Sequence, residues 1–441
     1  MTFPTSPSDG QEYVSEHGYV FEYSSSESRW KLKELSANRL HTKPCESPLA
    51  ITDGHYYMWS QGQDMFVLNK PESFVTAIGS PLALGALGEE TGCTDSTGQV
   101  WMWGRGDRGC LGDRNVASRS SPVSVWGDHS FTQVSSGEFY QLAVRDDGTT
   151  WAWGYGAYYH LGVGVSSGIN VSTPASVVGN HVFIQVSAGS RQSAAVKADG
   201  SAWCWGDNTS GNCGQGSIYP NQISTPVSVI GGHSFVQISS GGNHVVALKE
   251  NGEVWAWGAN QQGEIGDGAG GSRTSPVQVL ISDVVGVCTG FQFSRYLKSD
   301  GSAWGAGYNY RGMLGDGTIT SRYSPVSMLG DHRFVQLQGG LYHSISLRSD
   351  GVAMCCGWNE YGQLGNGFGG NIVFNRSSPV SVLGGHIFRQ VTCGDNHCAA
   401  LDRYNGIWTW GRNNYGQLGN GERSFNQGRS SPVSVIRSFT F

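Results

Sequence analysis

Charge is scarce in this chain: Lys, Arg, Asp and Glu make up 14% of its 441 residues, and the formal net charge is −6. Without a basic excess there is no bulk electrostatic footprint for nucleic acid, and no specific nucleic-acid partner is expected. Long hydrophobic runs are missing as well; no stretch approaches the ~20 apolar residues of a membrane span, so membrane insertion is not expected. The opening MTFPTSPSDG carries neither a basic segment nor an apolar core, which gives no classical secretion signal. The ten Cys stand singly, apart from Cys355 and Cys356, and lack the short spacings of a metal-binding loop. They read as reduced, small core residues of a protein made in a reducing compartment. No Ser/His/Asp grouping, no pair of carboxylates in a shared frame and no phosphate-type glycine loop is visible. The expectation is a non-enzymatic chain with no catalytic residues, cofactor or metal.

Glycine, at 66 residues, and aromatics, at 11%, are plentiful, a composition that favours an all-β protein with many turns. The dominant signal is internal repetition. Trp101/Trp103, Trp151/Trp153, Trp203/Trp205, Trp255/Trp257 and Trp408/Trp410 each precede a glycine, the first four pairs at intervals of 50, 52 and 52. Trp304/Ala306, Met354/Cys356 and Tyr57/Trp59 fill the same frame, which makes eight copies. A full copy, residues 226–268, has a hydrophobic period of two, the signature of short strands. Both rings of a Trp pair therefore project to one face, and a mostly small residue between them projects to the other. Sheets of that kind stack with the bulky side of one on the small side of the next. Radial stacking of four-stranded antiparallel units is a β-propeller. Eight blades are expected, with seven as the alternative, and the closing SFTF (438–441) is expected to complete the ring by pairing with the N-terminal unit. Gly137, Gly189, Gly241, Gly290, Gly340 and Gly394 recur after the inner strand, where a positive φ or crowding at a central channel excludes a side chain.

The paired Trp, GxxxxGQLGxG (357–367 and 411–421), SPV and HxxAL (244–248) together resemble the regulator of chromosome condensation repeat, over about residues 45–441. The resemblance implies a propeller, usually of seven blades. Its best-known members exchange guanine nucleotide on a small GTPase and bind chromatin, and others are plain binding modules. Residues 1–30, with Pro4, Pro7, Gly10, Tyr13, Gly18, Tyr19, Phe21, Tyr23 and Trp30, are similar to a short element of bacteriophage tail-fibre and other virion proteins. They are expected to be a small β element for attachment or oligomerisation, with the propeller over 31–441.

Five histidines, His129, His181, His233, His332 and His386, share one frame before the inner strand, which spreads them around a ring, too far apart for a shared metal. Arg119, Arg273, Arg322, Arg376 and Arg429 recur three residues before the repeat proline, as candidate anion-binding groups or as ties between the long loop and its own turn acids. Function is expected where copies differ. The loops before SPV diverge most, and Tyr219, Tyr323, Phe368, Phe374, Arg423 and Phe425 give their rim aromatic and cationic anchors for a partner. The leading expectation is a phage virion component such as a tail fibre, an appendage or a surface decoration. It would contact virion proteins through the N-terminal element and a host protein or glycan through the rim, be assembled in the host cytoplasm, and possess the option of a homo-oligomer. The alternative is a cytoplasmic, cellular propeller of the condensation-regulator type, acting as a protein-binding module or exchange factor.

Overall fold

The computed structural model describes residues 83–436 except 166 and 371–374, together with six short strands nearer the N-terminus. For those strands and for residues 83, 87 and 425–427 it gives the backbone only. Two compact units emerge, Met1–Leu68 and Asn69–Phe441. In the first, Glu12–Val14, Tyr19–Ser24 and Arg29–Leu35 form one three-stranded antiparallel sheet, and Leu49–Ala50, Tyr56–Trp59 and Met65–Leu68 form another. The strand Arg29–Leu35 runs across the boundary expected at residue 30, and residues 31–68 fall with the N-terminal unit.

In the second unit seven sheets of four consecutive antiparallel strands follow one another, over 83–124, 131–176, 185–228, 237–278, 284–327, 334–381 and 388–434. The first strand of each packs on the first strand of the next, and that of the seventh blade packs on Ala83–Leu87 of the first. The ring is thus complete with seven blades, which corrects the expectation of eight. The supposed extra copy, at Tyr57 and Trp59, belongs to a three-stranded sheet of the N-terminal unit. It has the local frame of a blade, and its sheet has three strands among the described residues. The expected closing segment 438–441 lies outside the described residues. Within them every blade is contiguous in sequence, so the first blade borrows no strand and the seam closes by packing.

Period-two patterning accounts for that packing. Trp103, Trp153, Trp205, Trp257 and Trp410 are fully buried, and each lies against the preceding blade. Trp153 clusters with Met102, Trp205 with Ala152, Trp257 with Cys204 and Trp410 with Cys355, the small residues between the preceding Trp pairs. Each indole N–H also donates to a carbonyl in the preceding blade's loop, for example Trp205 to His160 at 2.8 Å and Trp257 to Asn212 at 2.9 Å. At the closing seam Trp103 donates to the Gln417 carbonyl at 3.0 Å. The blades without a second Trp are filled from elsewhere. Tyr296, paired in register with Trp304, occupies the volume beside Ala306, and Met328 and Arg295 crowd Cys356. Tyr308 and Trp358, which stand two positions later, lie instead among the rings beside Tyr342, Tyr308 packing on the small cluster of Phe293, Met313 and Leu314.

A second set of bolts runs from the start of each second strand. His244 bonds to Ser294 at 3.0 Å, Tyr140 to Ser193 at 2.9 Å and His397 to Thr91 at 2.7 Å, so this link also crosses the closing seam. Burial holds these imidazoles neutral, His244 down to about 4 and His397 to about 3. The repeated turn histidines act by ring packing: His129, His181, His233 and His386 sit 4.5, 4.3, 4.1 and 3.9 Å from Trp151, Trp203, Trp255 and Trp408.

Candidate functional site

One end of the propeller carries the turns between first and second strands and the long loops between third and fourth. In register, Tyr140 opposes Gly154 and Glu90 opposes Gly104, which puts both kinds of connection on the same face. The rim candidates fall here. Tyr219 is 70% exposed, Phe368 51% and Tyr323 41%; the Tyr323 hydroxyl donates to the Gln261 carbonyl at 3.0 Å. The Arg423 guanidinium reaches the Ser118 carbonyl of the first blade. Phe374 and the side chain of Phe425 lie outside the described residues.

The recurring arginines of the same loops are engaged within their own blades. Arg119 meets Asp113 at 2.7 Å, Arg273 meets Asp267 at 2.5 Å, Arg322 meets Asp316 at 2.7 Å and Arg429 meets Glu422 at 2.5 Å. Arg376 donates to the Asn375 carbonyl at 3.0 Å. These pairs tie the start of each fourth strand to the turn that precedes it.

Nearer the channel, a belt of alternating rings and guanidinium groups crosses the face. Arg105 lies 4.5 Å from the Phe139 ring and 4.9 Å from that of Tyr415, so one cation bridges the seventh, first and second blades. Arg108 lies 4.5 Å from Phe139 and 4.2 Å from Tyr155, and Arg191 of the third blade lies 4.9 Å from Tyr158. On the other side Arg412 covers Tyr361 at 5.1 Å, and Tyr361, Trp358, Tyr342 and Tyr308 follow at ring separations of 5.5, 5.8 and 5.9 Å. Tyr310, 66% exposed, ends the belt. The turn of the fourth blade breaks it with Gly242 and Asn243. Each cation–π contact is worth ~0.5–1 kcal/mol at such exposure, so the belt is held in shape before any ligand arrives.

Backbone strain gathers on the same face. Arg108, Phe139, Tyr158 and Tyr159 have φ of 72°, 68°, 59° and 61°. A bulky residue in the left-handed region costs on the order of 1 kcal/mol or more, and such outliers cluster at binding and catalytic sites. Tyr159 stands where the other copies have Gly109, Gly211, Gly263, Gly312, Gly362 and Gly416, all at positive φ. That break in the repeat was visible in the sequence. The Arg105–Phe139 contact was not, because a loop and the turn of the next blade supply it.

Acids line the inner edge of the belt. Glu89 is buried between Arg105 and Arg412, paired to both. Its carboxyl and that of fully buried Glu90 are pushed up by desolvation, Glu89 against the opposing pull of Arg412 and Arg105, Glu90 with Asp395 and Glu89 adding repulsion. Asp395, on the seventh blade's turn, is raised to about 7 by desolvation and then by Glu138 and Glu89, against His343 and the Gly88 backbone. A carboxyl raised in the folded state binds its proton more tightly there than in the unfolded chain, so this group weakens the fold as pH rises from about 4 through 7. Asp395→Asn is expected to be more stable than the parent at pH 8, by on the order of 1 kcal/mol after solvent screening, and to lose that advantage at pH 4. Melting curves of both proteins across this range check it; parallel curves would contradict the assignment.

The nine described cysteines are all free and buried. No helix among the described residues is long and apolar enough to cross a membrane.

Comparison with known proteins gives this architecture its lineage. The RCC1-like domain model matches residues 172–440, and the regulator of chromosome condensation (RCC1) repeat model matches 97–144 and 147–196. The ultraviolet-B receptor UVR8 of Arabidopsis thaliana is 29% identical over 333 residues, 73% of this chain and 75% of that protein. The human E3 ubiquitin-protein ligase HERC2 is 29% identical over 231 residues, 49% of this chain but only 5% of the ligase. The crystal structure of Prp20p from Saccharomyces cerevisiae superposes with a TM-score of 0.69 at 20% identity, covering 84% of this chain and 90% of Prp20p, a likeness of fold. These cellular relatives overturn the expectation of a phage virion component, and with it the virion and host-glycan partners and the particle as location. Nothing in the comparisons supports the tail-fibre likeness of residues 1–30. The chain belongs to the RCC1-like domain family.

Proposed function

We propose that this protein is a non-enzymatic protein-binding module that engages its partner through the face carrying the Arg–aromatic belt. The observation that carries this reading is the coincidence on that face of preassembled guanidinium–ring stacks shared between blades with four bulky residues held at positive φ. Trp, Tyr and Arg are the residues that dominate protein–protein hot spots. The exposed Tyr219, Tyr323 and Phe368 would extend the contact outward from the belt.

The double variant Arg108→Ala, Phe139→Ala is expected to weaken association with partners that co-purify with the parent by about tenfold or more. Its melting temperature should fall little, because both groups are at the surface. A control pair at the opposite hairpins, Asp147→Ala and Asn251→Ala, should bind as the parent does. Unchanged binding by the face variant would sink the reading. Accelerated nucleotide release from a small GTPase by catalytic amounts of the protein would replace a passive module with an exchange factor.

A further inference from the structure

The seam between the sixth and seventh blades departs from every other seam. At three other seams the bolt from the second strand ends on a hydroxyl, as in His244–Ser294 and His397–Thr91, and Gln192 reaches backbone carbonyls instead. Here His343 Nε2 meets the sulfur of Cys398 at 3.2 Å, and Cys393, opposite Cys398 in strand register, brings its sulfur to 3.5 Å. The three donor atoms lie within 4.8 Å of one another and all three residues are buried. The thiol of Cys355, on the third strand of the sixth blade, also contacts that of Cys398. Elsewhere these positions are filled differently: Ser294, Ser344, Gln141 and Val245 stand for Cys398, Ser136 and Ser240 for Cys393, and Ala152 and Ala256 for Cys355, whose position is a cysteine again only at Cys204. Among the described residues, three thiols and an imidazole meet only here.

We infer that this seam is a structural metal site for a zinc-like ion, with Cys393, Cys398 and His343 Nε2 as ligands and Cys355 as the fourth. Tetrahedral zinc, with Zn–S of ~2.3 Å and Zn–N of ~2.0–2.1 Å, sets two sulfurs about 3.7 Å apart and sulfur from nitrogen about 3.6 Å. The His343–Cys398 and Cys393–Cys398 separations need only a few tenths of an ångström of opening, while Cys355, outside the group of three, has to swing in to complete the tetrahedron. Soft thiolates with imidazole select this class of ion over hard cations. Each thiol gives its proton to solvent as its metal–sulfur bond forms. A divalent ion with three thiolates and a neutral imidazole carries one net negative charge, and the neighbouring seam of the fifth and sixth blades supplies a counter-charge. Arg295 is fully buried, donates to the hydroxyls of Ser344 and Ser346, leaves its Nε without a partner, and has no carboxylate beside it among the described residues. It acts electrostatically on the Cys393 sulfur. A buried guanidinium without an acid is stabilised by a nearby anion, and a metal–thiolate centre is one.

The test is metal content of the full chain, refolded with zinc under reducing conditions, then passed through a weak chelator. The expected result is a stoichiometric ion that cobalt(II) replaces with the intense visible bands of a tetrahedral thiolate site. Cys398→Ser and Cys393→Ser should lose the metal by at least about tenfold and remain folded, since serine occupies both positions in other blades. Cys204→Ala, at another seam, should keep it. Arg295→Gln should weaken cobalt binding about tenfold while leaving its spectrum tetrahedral. No retained metal in the folded parent, a Cys393–Cys398 disulfide in protein isolated with thiols blocked, or full metal in Cys398→Ser would each overturn the site.

Discussion

Replacing Trp103 with alanine is expected to destabilise the protein by ~3–5 kcal/mol, the range for removing a large buried aromatic. Trp103 has no exposed surface, packs on Ala399, Leu401 and Val435 of the seventh blade, and donates to the Gln417 carbonyl. The seam it fills differs from the other six. There, adjacent blades are joined by a short stretch of chain, so an opened interface stays tethered. The first and seventh blades are more than 250 residues apart in sequence, and packing with non-covalent bonds, among them His397–Thr91, Arg412–Glu89, Arg423–Ser118 and the Asp395–Gly88 backbone bond, holds them. Trp205→Ala, at a tethered seam, removes a similar indole and hydrogen bond. Urea unfolding should show comparable losses in midpoint for both. Only Trp103→Ala should gain early protease sensitivity near residues 88–89 and 395–396, because only its seam opens as a free edge. A loss below about 1 kcal/mol would mean that the ring is closed by something else.

Gly241→Val is expected to have the second-largest effect. A Cβ at Gly241 would sit 2.6 Å from the Gly290 carbonyl oxygen and 2.4 Å from the His244 ring. The corresponding glycines repeat the close approach around the channel: Gly137 to Gly189, Gly189 to Gly241, Gly290 to Gly340 and Gly340 to Gly394, each to the next blade's carbonyl, with Gly394 reaching the Gly88 oxygen of the first blade. A circle of backbone bonds runs beside them, including Ser190 N to Gly241 O at 3.1 Å and Asp395 N to Gly88 O at 2.7 Å. None of the six has a positive φ, so crowding, not backbone conformation, requires glycine. The first methyl should cost ~1–3 kcal/mol by overpacking, and valine more. Gly271 is the contrast: φ is 85° and nothing lies within 4 Å of an added Cβ. Gly271→Ala should cost about 1 kcal/mol through strain alone. If Gly241→Val melts like Gly271→Ala, the circle of channel glycines is not tightly packed.

What the sequence made legible follows from the range of each interaction. Trp pairs, small alternating residues and turn glycines report a local period of two, so blade structure and the sense of inter-blade packing could be read directly. Blade number could not. Tyr57 and Trp59 fit the local frame, but membership of the ring depends on strand pairing far along the chain, and there the segment pairs with its own neighbours. For the face, Tyr159 in a glycine frame was a readable signal, while Arg105 with Phe139 and Tyr415 is assembled by three blades. The cysteine and histidine cluster escaped for the same reason: spacings of 50 and 55 residues from His343 to Cys393 and Cys398 are one blade repeat, not a metal-binding loop.

The central claim is that the Arg–aromatic face, and not the opposite end, receives a protein partner. Site-specific photo-crosslinking in cells tests it most directly. A benzophenone side chain is placed in one protein at exposed Tyr310, at the end of the belt, and in another at Asn251, in an opposite hairpin. The account predicts a discrete protein adduct from position 310 that disappears when Arg108 and Phe139 are replaced, and none from position 251. Adducts from 251 alone, or adducts from 310 that survive those replacements undiminished, would contradict it.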